Sequence, residues 1–368
     1  MKIMYLTDQF YLHGGIEKIT SEKMNYLSNV IGYEVVLCTS EHRNKPLVYN
    51  LSDKVKHIDL GINYCRSISY FHPTNLIKMF KHFSYLKKCF KNEKPDIIIS
   101  INYTPEQYFV TFLSKHIPKI KEFHSTGFAL KKVDTIIGKL KHRLFLLFEK
   151  YHVKVVLNDF EKDYYPFNNI TVIPNFVSRK LKTEINLNRT KTIIAAGRIA
   201  PVKQFDHLIL AWEKIANLHE NWSVEIYGDG EDKLIRELNY LISERNIPNI
   251  KLMGSTSILS EKMKNASIYA MTSVTECFPM VLLEAMANGL PIVSYNCPHG
   301  PAAIIENNKQ GYLTETNNIS IFAKKLSYLI SSKSIRTKMS EEASDTSKQF
   351  QDNVVMEQWN TLFLNIKK

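Results

Sequence analysis

At 368 residues the chain exceeds what one hydrophobic core organises, so two domains of roughly 150 to 200 residues are expected. Its composition, 44% hydrophobic and 23% charged, is that of a globular protein, and Lys or Arg interrupts every apolar run short of the about 18 residues that a spanning helix needs, which excludes an integral membrane protein. Net charge is +12, with 25 Lys and Arg against 16 Asp and Glu through Asn175 and 23 against 20 beyond it, so the first half is expected to face an acidic partner: an anionic membrane, a phosphorylated substrate or a nucleic acid.

The opening Met1–Asp8 turns polar too soon for the hydrophobic region of a secretory signal, and residence in the cytoplasm is expected. Short β-branched runs then alternate with longer stretches of helical periodicity, the rhythm of βαβ units and parallel sheets. In the first half, strands are predicted over Lys2–Leu6, Glu34–Cys38, Asp96–Ser100, Lys119–His124 and Lys154–Leu157, with helices over Ile16–Ser28, Asn75–Lys91, Pro105–Lys115 and Thr135–Tyr151. The join falls at Val172–Phe176 and the polar segment after it, Ser178 to Thr190, where hydrophobic alternation lapses and Lys, Asn and Thr dominate. An N-terminal domain is therefore placed at 1–175 and a linker at 176–190.

The rhythm resumes in a second domain at 191–350. Strands are predicted over Thr192–Ala196, Ser223–Tyr227, Ile250–Met253, Ser267–Met271 and Pro291–Ser294, and helices over Phe205–Leu218, Asp232–Arg245 and Val281–Asn288. Val355, Trp359, Leu362 and Ile366 return to helical spacing in a closing helix at 351–368, expected to pack outside the second sheet. The fold class is α/β, two doubly wound, Rossmann-like parallel sheets. The five cysteines, Cys38, Cys65, Cys89, Cys277 and Cys297, are widely spaced without a C-x-x-C pair, which fits reduced thiols and offers no zinc site.

Ligands of such sheets bind at the carboxyl ends of strands, where loops lead into helix N-termini. The first loop ends in His13-Gly14-Gly15, a pair of glycines that lets backbone amides approach a phosphate or simply makes a tight turn. Gly197-Arg198-Ile199-Ala200-Pro201-Val202-Lys203 places an Arg fork and a Lys point charge at a strand end, a pairing suited to a diphosphate, or two solvated side chains. Tyr227-Gly228-Asp229-Gly230 follows another strand, where Gly228 either admits a ligand or makes the turn. The most specific segment runs from Thr275 to Pro291, with Glu276 and Glu284 on either side of a helix start at Pro279. Glu284 falls in the apolar stretch Met280–Ala287, where a carboxylate needs a donor such as a sugar hydroxyl, unless it faces solvent.

Through most of its length the chain resembles the retaining family-four glycosyltransferases with the GT-B fold, two Rossmann-like domains facing a cleft. Glu276-x7-Glu284 is similar to that family's E-x7-E signature, Gly197-Arg198 with Lys203 to its diphosphate clamp, and Gly14-Gly15 to its glycine loop. The resemblance implies that Arg198 and Lys203 neutralise the donor diphosphate, that Glu284 holds ribose hydroxyls and Glu276 the transferred sugar, and that Gly14 and Gly15 contact phosphate or acceptor. It implies that His124 approaches the sugar, where the plain reading of a histidine at a strand end is structural. Cys277, Gln204 and Ala303 depart from the family pattern, and Ala303 puts donor identity in doubt.

The implied reaction transfers a hexose or N-acetylhexosamine, with UDP favoured as nucleotide, by front-face displacement with retention, without a cofactor or bound metal. Phe278–Ala287 followed by Cys297-Pro298-His299-Gly300-Pro301 is similar to bacterial enzymes that build capsule, exopolysaccharide, O-antigen or N-glycan precursors on a polyprenyl lipid. On the acceptor side, Leu76–Phe83 with Leu86–Lys91, and Lys139–Phe148, interleave aromatic and basic residues at helical spacing, as a peripheral anionic-membrane contact or as packed amphipathic helices. A sugar-nucleotide epimerase of the same fold is the enzymatic alternative. A basic nucleic-acid or membrane-binding module is the other, although no nucleic-acid recognition motif is present. A dehydrogenase lacks its G-x-G-x-x-G fingerprint.

Overall fold

Runs such as Ile97-Ile98-Ile99 and Ile193-Ile194-Ala195 are apolar on both faces, and such strands are stable inside a parallel sheet covered on both sides. The computed structural model describes residues 1–102, 104–127, 136–178, 188–298 and 300–367. Two compact units divide the chain, Met1–Pro174 with Val355–Lys368, and Asn175–Val354.

The first unit carries β1 (Lys2–Thr7), β2 (Glu34–Thr39), β3 (Val55–Asp59), β4 (Ile97–Ser100), β5 (Lys119–Glu122), β6 (Val153–Val156) and β7 (Ile170–Val172). All pair in parallel, in the order β3-β2-β1-β4-β5-β6-β7. Its helices are α1 (Gly15–Tyr26), α2 (Pro73–Glu93), α3 (Glu106–Phe109), α4 (Ile136–Phe145) and α5 (Asp159–Lys162). The second unit has β8 (Thr192–Ala196), β9 (Ser223–Tyr227), β10 (Ile250–Gly254), β11 (Ile268–Met271), β12 (Ile292–Tyr295) and β13 (Gly311–Thr314), also parallel, in the order β10-β9-β8-β11-β12-β13. Around it run α6 (Phe205–Glu213), α7 (Asp232–Glu244), α8 (Leu259–Asn265), α9 (Met280–Ala287), α10 (Ile319–Ser331) and α11 (Lys333–Ser347).

Each sheet reverses its strand order once, between β1 and β4 and between β8 and β11. A reversal sends neighbouring loops to opposite faces and opens a crevice at the carboxyl ends of the two strands, the place where open α/β sheets receive ligands. The cores beneath are apolar: Met4, Leu6, Ile98 and Phe123 in the first unit, Ile193, Trp212, Ile226 and Phe322 in the second.

The strands absent from the sequence reading are β3, β7 and β13, all at sheet edges. An edge strand pairs on one side only and needs less apolar surface, and β3 and β7 show it, with mostly half-buried or exposed residues. Pro105–Lys115 is shorter than expected, one helical turn and a 3-10 turn at Val110–Phe112 that ends before Ser114 at φ 41°. Part of the expected linker, 179–187, and the start of the expected helix at Thr135 lie outside the described residues.

The closing helix, α12 (Asp352–Lys367), does not pack outside the second sheet as expected. From Val355 onward it belongs to the first unit, where Asn360 accepts from the Tyr33 hydroxyl at 2.6 Å, Lys367 pairs with Asp96 at 2.9 Å and Trp359 covers the ammonium of Lys23 at 4.0 Å from its ring centroid. Periodicity shows that a helix has an apolar face but not which surface covers it.

Candidate active site

In the second unit the sequence-derived residues gather on the loops after β8 and β11, the strands at the reversal. Ala196 ends β8, and the chain turns through Gly197 and Arg198 into a 3-10 turn at Pro201–Lys203 and then α6. The loop after β11 runs alongside: Val274 N–H donates to Val202 C=O at 2.9 Å, and the Thr272 hydroxyl lies 3.0 and 2.8 Å from the carbonyls of Lys203 and Gln204. These contacts bring Lys203 Nζ to 2.5 Å from Glu276 Oε1, with both side chains mostly buried. Arg198 stays exposed, and among the described residues no ion pair holds it.

Gly228 lies against this loop. A Cβ there would sit 1.9 Å from Gly197 O, and its φ of 152° is one that side chains rarely adopt. Gly230 is equally tight against Ile199 O, at 2.1 Å, because Ile199 N–H donates to Asp229 C=O at 2.8 Å and Gly197 N–H to Tyr227 C=O at 3.0 Å. The glycines of this turn are therefore explained by close approach of the protein's own backbone. Gln204, where the family commonly has glycine, takes a left-handed φ of 44°.

Glu284 is half-buried on α9. That helix is fixed at its far end by Arg189, whose guanidinium donates to the carbonyls of Ala266, Asn288 and Gly289 at 2.9, 2.7 and 3.1 Å, a cation where a helix C-terminus favours one. Gly300 abuts the backbone of Glu276, where a Cβ would meet its carbonyl at 2.6 Å. Burial, reinforced by Glu276, pushes the neighbouring Cys297 thiol up to about 12, so it is protonated at neutral pH. His299 lies outside the described residues.

In the first unit, Gly14 caps α1 and Gly15 begins it. A Cβ on Gly14 would collide with the Glu17 carboxylate at 2.2 Å, whereas Gly15 has nothing within 4 Å of where its Cβ would be. Buried Gln9 secures the loop: its Oε1 accepts from Tyr11 and Leu12 N–H at 2.8 and 2.9 Å, and its Nε2 donates to Glu17 at 2.7 Å. His124 follows β5, and the preceding Phe123 is stacked on Tyr165 at 4.4 Å. The His124 ring is buried, with Nε2 at 3.1 Å from Glu122 Oε1.

Sequence reasoning missed a polar group at the carboxyl ends of β1, β2 and β4. Arg66 bridges Asp8 at 2.5 Å and Glu41 at 2.8 Å, and Asn102 Nδ2 donates to Asp8 at 2.6 Å. Burial drives Glu106 up to about 7 and Lys121 down to about 7. Asp8 stands directly after a strand and was the one available signal. Arg66 comes from a long loop that no periodicity connects to it.

Two Rossmann-like units, each with polar side chains at its strand reversal, define an α/β protein whose sheets offer ligand sites at the carboxyl ends of their strands. Residues 178–346 match the family of glycosyl transferases group 1. The chain is 26% identical over 374 residues to the amylovoran biosynthesis glycosyltransferase AmsD of Erwinia amylovora, covering 98% of this chain and 99% of that one. It is 27% identical over 356 residues to an uncharacterized glycosyltransferase of Haemophilus influenzae, covering 94% and 95%. Among solved structures it superposes with TM-score 0.79 and 16% identity on a Staphylococcus aureus TarM mutant in complex with fondaparinux, alpha-GlcNAc-glycerol and UDP, over 98% of this chain and 99% of that one. The chain is a glycosyltransferase with the GT-B fold.

Proposed function

We propose that the chain moves a hexose or N-acetylhexosamine, with retention, from a UDP-sugar to a polyprenyl-linked glycan in cell-surface polysaccharide biosynthesis. The observation that carries the reading is the Lys203–Glu276 pair at the strand reversal, beside exposed Arg198. An ammonium has three protons, so Lys203 can keep Glu276 and still donate to a departing diphosphate, while Arg198 adds a fork for its oxygens. Charge develops on that diphosphate as the sugar bond breaks, so cations fixed in advance lower the barrier. Glu284 is assigned the ribose hydroxyls and Glu276 the sugar hydroxyls. UDP is favoured because the TarM neighbour is a UDP complex. The reaction is read as metal-independent.

The lipid-borne acceptor is supported by α2. Its Ile77 and Phe80 are 70% and 78% exposed, and Lys81, Lys87, Lys88 and Lys91 are exposed on the same helix. Apolar side chains set among lysines suit an anionic membrane surface. No helix among the described residues is long and apolar enough to cross a membrane, so contact would be peripheral. In the second basic segment, the side chains of Leu140 and Lys141 lie outside the described residues.

The deciding experiment is a thermal-shift panel of UDP, GDP, ADP and their sugar conjugates, in EDTA, on wild type, Lys203→Ala and Glu284→Ala. Selective stabilisation by the uridine compounds, lost in both variants, is expected. No nucleotide response in the wild type, or equal responses in the variants, would overturn the donor site. Flotation with liposomes containing anionic lipid, reduced by Phe80→Ser, tests the membrane contact.

A further inference from the structure

Strands β8 and β11 part where the second sheet reverses, and the way the backbone is satisfied there singles out Tyr269. Their ladder ends with Ile193 beside Ile268 and Ile194 beside Tyr269, although the strands run on to Ala196 and Met271. Alternate residues of a strand turn their N–H and C=O to opposite neighbours. Gly197 N–H reaches Tyr227 C=O on the β9 side, so the amide and carbonyl of Ala196 face β11 beyond the end of the ladder. One side chain takes both: the Tyr269 hydroxyl donates to Ala196 C=O at 3.1 Å and accepts from Ala196 N–H at 3.3 Å. Tyr269 is fully buried, and a phenylalanine would fill the same space, so packing leaves the hydroxyl unexplained.

We infer that Tyr269 is a positioning residue for the donor diphosphate: by holding both backbone groups of Ala196 it fixes the direction in which the chain leaves β8, and so aims Arg198 and Lys203. The inference rests on the nucleotide-sugar reading above. Arg198 stands two residues beyond the held amide, exposed, and among the described residues no ion pair orients it, so its place comes from the backbone. On the β9 side that backbone is tied by Gly197 and Ile199 N–H to the carbonyls of Tyr227 and Asp229. On the β11 side the next restraints come only at Val202, Lys203 and Gln204, which leaves Tyr269 to hold the exit itself. Burial, reinforced by Glu284 and Glu276 against the pull of the Ala196 hydrogen bond, keeps the phenol well above its ordinary range, so the hydroxyl retains its proton. A hydroxyl offers a donor and an acceptor at one atom. Phenylalanine offers neither and would leave both Ala196 groups buried and unpaired.

Tyr269→Phe removes the hydroxyl alone. Calorimetric affinities for UDP and UMP, taken on wild type and variant well below their melting temperatures, isolate the phosphate that UMP lacks. UDP affinity is expected to fall about 10-fold with UMP affinity unchanged, and kcat to fall about 100-fold, as for a shift of about 1 Å in the cations. In an Arg198→Ala, Lys203→Ala background the same change should make no further difference to UDP. Ser340→Ala removes another buried hydroxyl from a backbone carbonyl of this unit, that of Gly289, and should lower the melting temperature while leaving the UDP-to-UMP ratio as it is. Should Tyr269→Phe not fold, hydrogen exchange of residues 192–197 in the wild type decides: coupling is reciprocal, so UDP should slow it more than UMP does. Equal losses of UDP and UMP affinity, an undiminished ratio in a folded variant, or exchange slowed alike by both nucleotides would overturn the inference. A wild type that binds UDP no better than UMP would take the donor reading down with it.

Discussion

Gly228→Ala tests whether this glycine serves the protein's own backbone. The added Cβ would lie 1.9 Å from Gly197 O and 2.9 Å from Gly197 C, about 1.5 Å short of ordinary contact, and both partners are backbone, so no rotamer relieves the overlap. The φ of 152° adds strain of roughly 1–3 kcal/mol. Taking about 3 kcal/mol in all, the second unit should melt roughly 6–12 °C lower. The loop that must yield carries Arg198 and Lys203, and a misplacement of about 1 Å at such groups costs about 100-fold in rate. Differential scanning fluorimetry and steady-state transfer assays read the two effects. A variant that melts with the wild type would refute the steric argument. One that melts low but turns over normally would refute the link between this turn and the cations.

Gly15→Ala should behave oppositely: with open space around the new methyl it is expected to raise stability by about 0.5–1 kcal/mol, while lowering turnover if a ligand approaches the N-terminus of α1. An unchanged rate would remove Gly15 from the site. Gln204→Gly should stabilise the second unit by about 0.5–1 kcal/mol in urea melts, because relief of the left-handed strain, roughly 1–2 kcal/mol, exceeds glycine's entropic cost of roughly 0.5–1. Burial pulls His82 from 6.5 down to about 3, beside the Tyr64 hydroxyl at 3.1 Å. Its folded pKa is below its unfolded one, so its contribution is full above pH 6.5 and drains away as pH falls toward about 3. Between about pH 6 and pH 4 the wild type should lose about 2.5 kcal/mol more than His82→Gln.

The interior of both sheets was legible because β1, β4, β8 and β11 are buried on two faces and read as unbroken apolar runs. β3, with the sequence Val-Lys-His-Ile-Asp, carries no such run, and nothing local distinguishes it from a loop. The same holds for the site. Glu276 and Glu284 sit on one short motif and Arg198 and Lys203 on another, and the structure joins the two through Lys203 and Glu276. Glu122 and Lys23, a buried ion pair 99 positions apart, could not be paired from spacing, since only the sheet order β1-β4-β5 brings α1 and the end of β5 to one place. Gly228 drew attention as a glycine at a strand end, yet its reason, the carbonyl of Gly197, is visible only in three dimensions.

The return of α12 to the first unit bears on how the chain is made. Residues 1–174 emerge from the ribosome first, but the indole that covers Lys23 and the amide that meets Tyr33 arrive only after the whole second unit has been synthesised. Until then a buried ammonium–carboxylate pair lacks its lid, so the first unit should wait, incompletely consolidated, while the second folds. Separating the two by a single cut near Pro174 would leave one fragment without its closing helix and the other with a stray one.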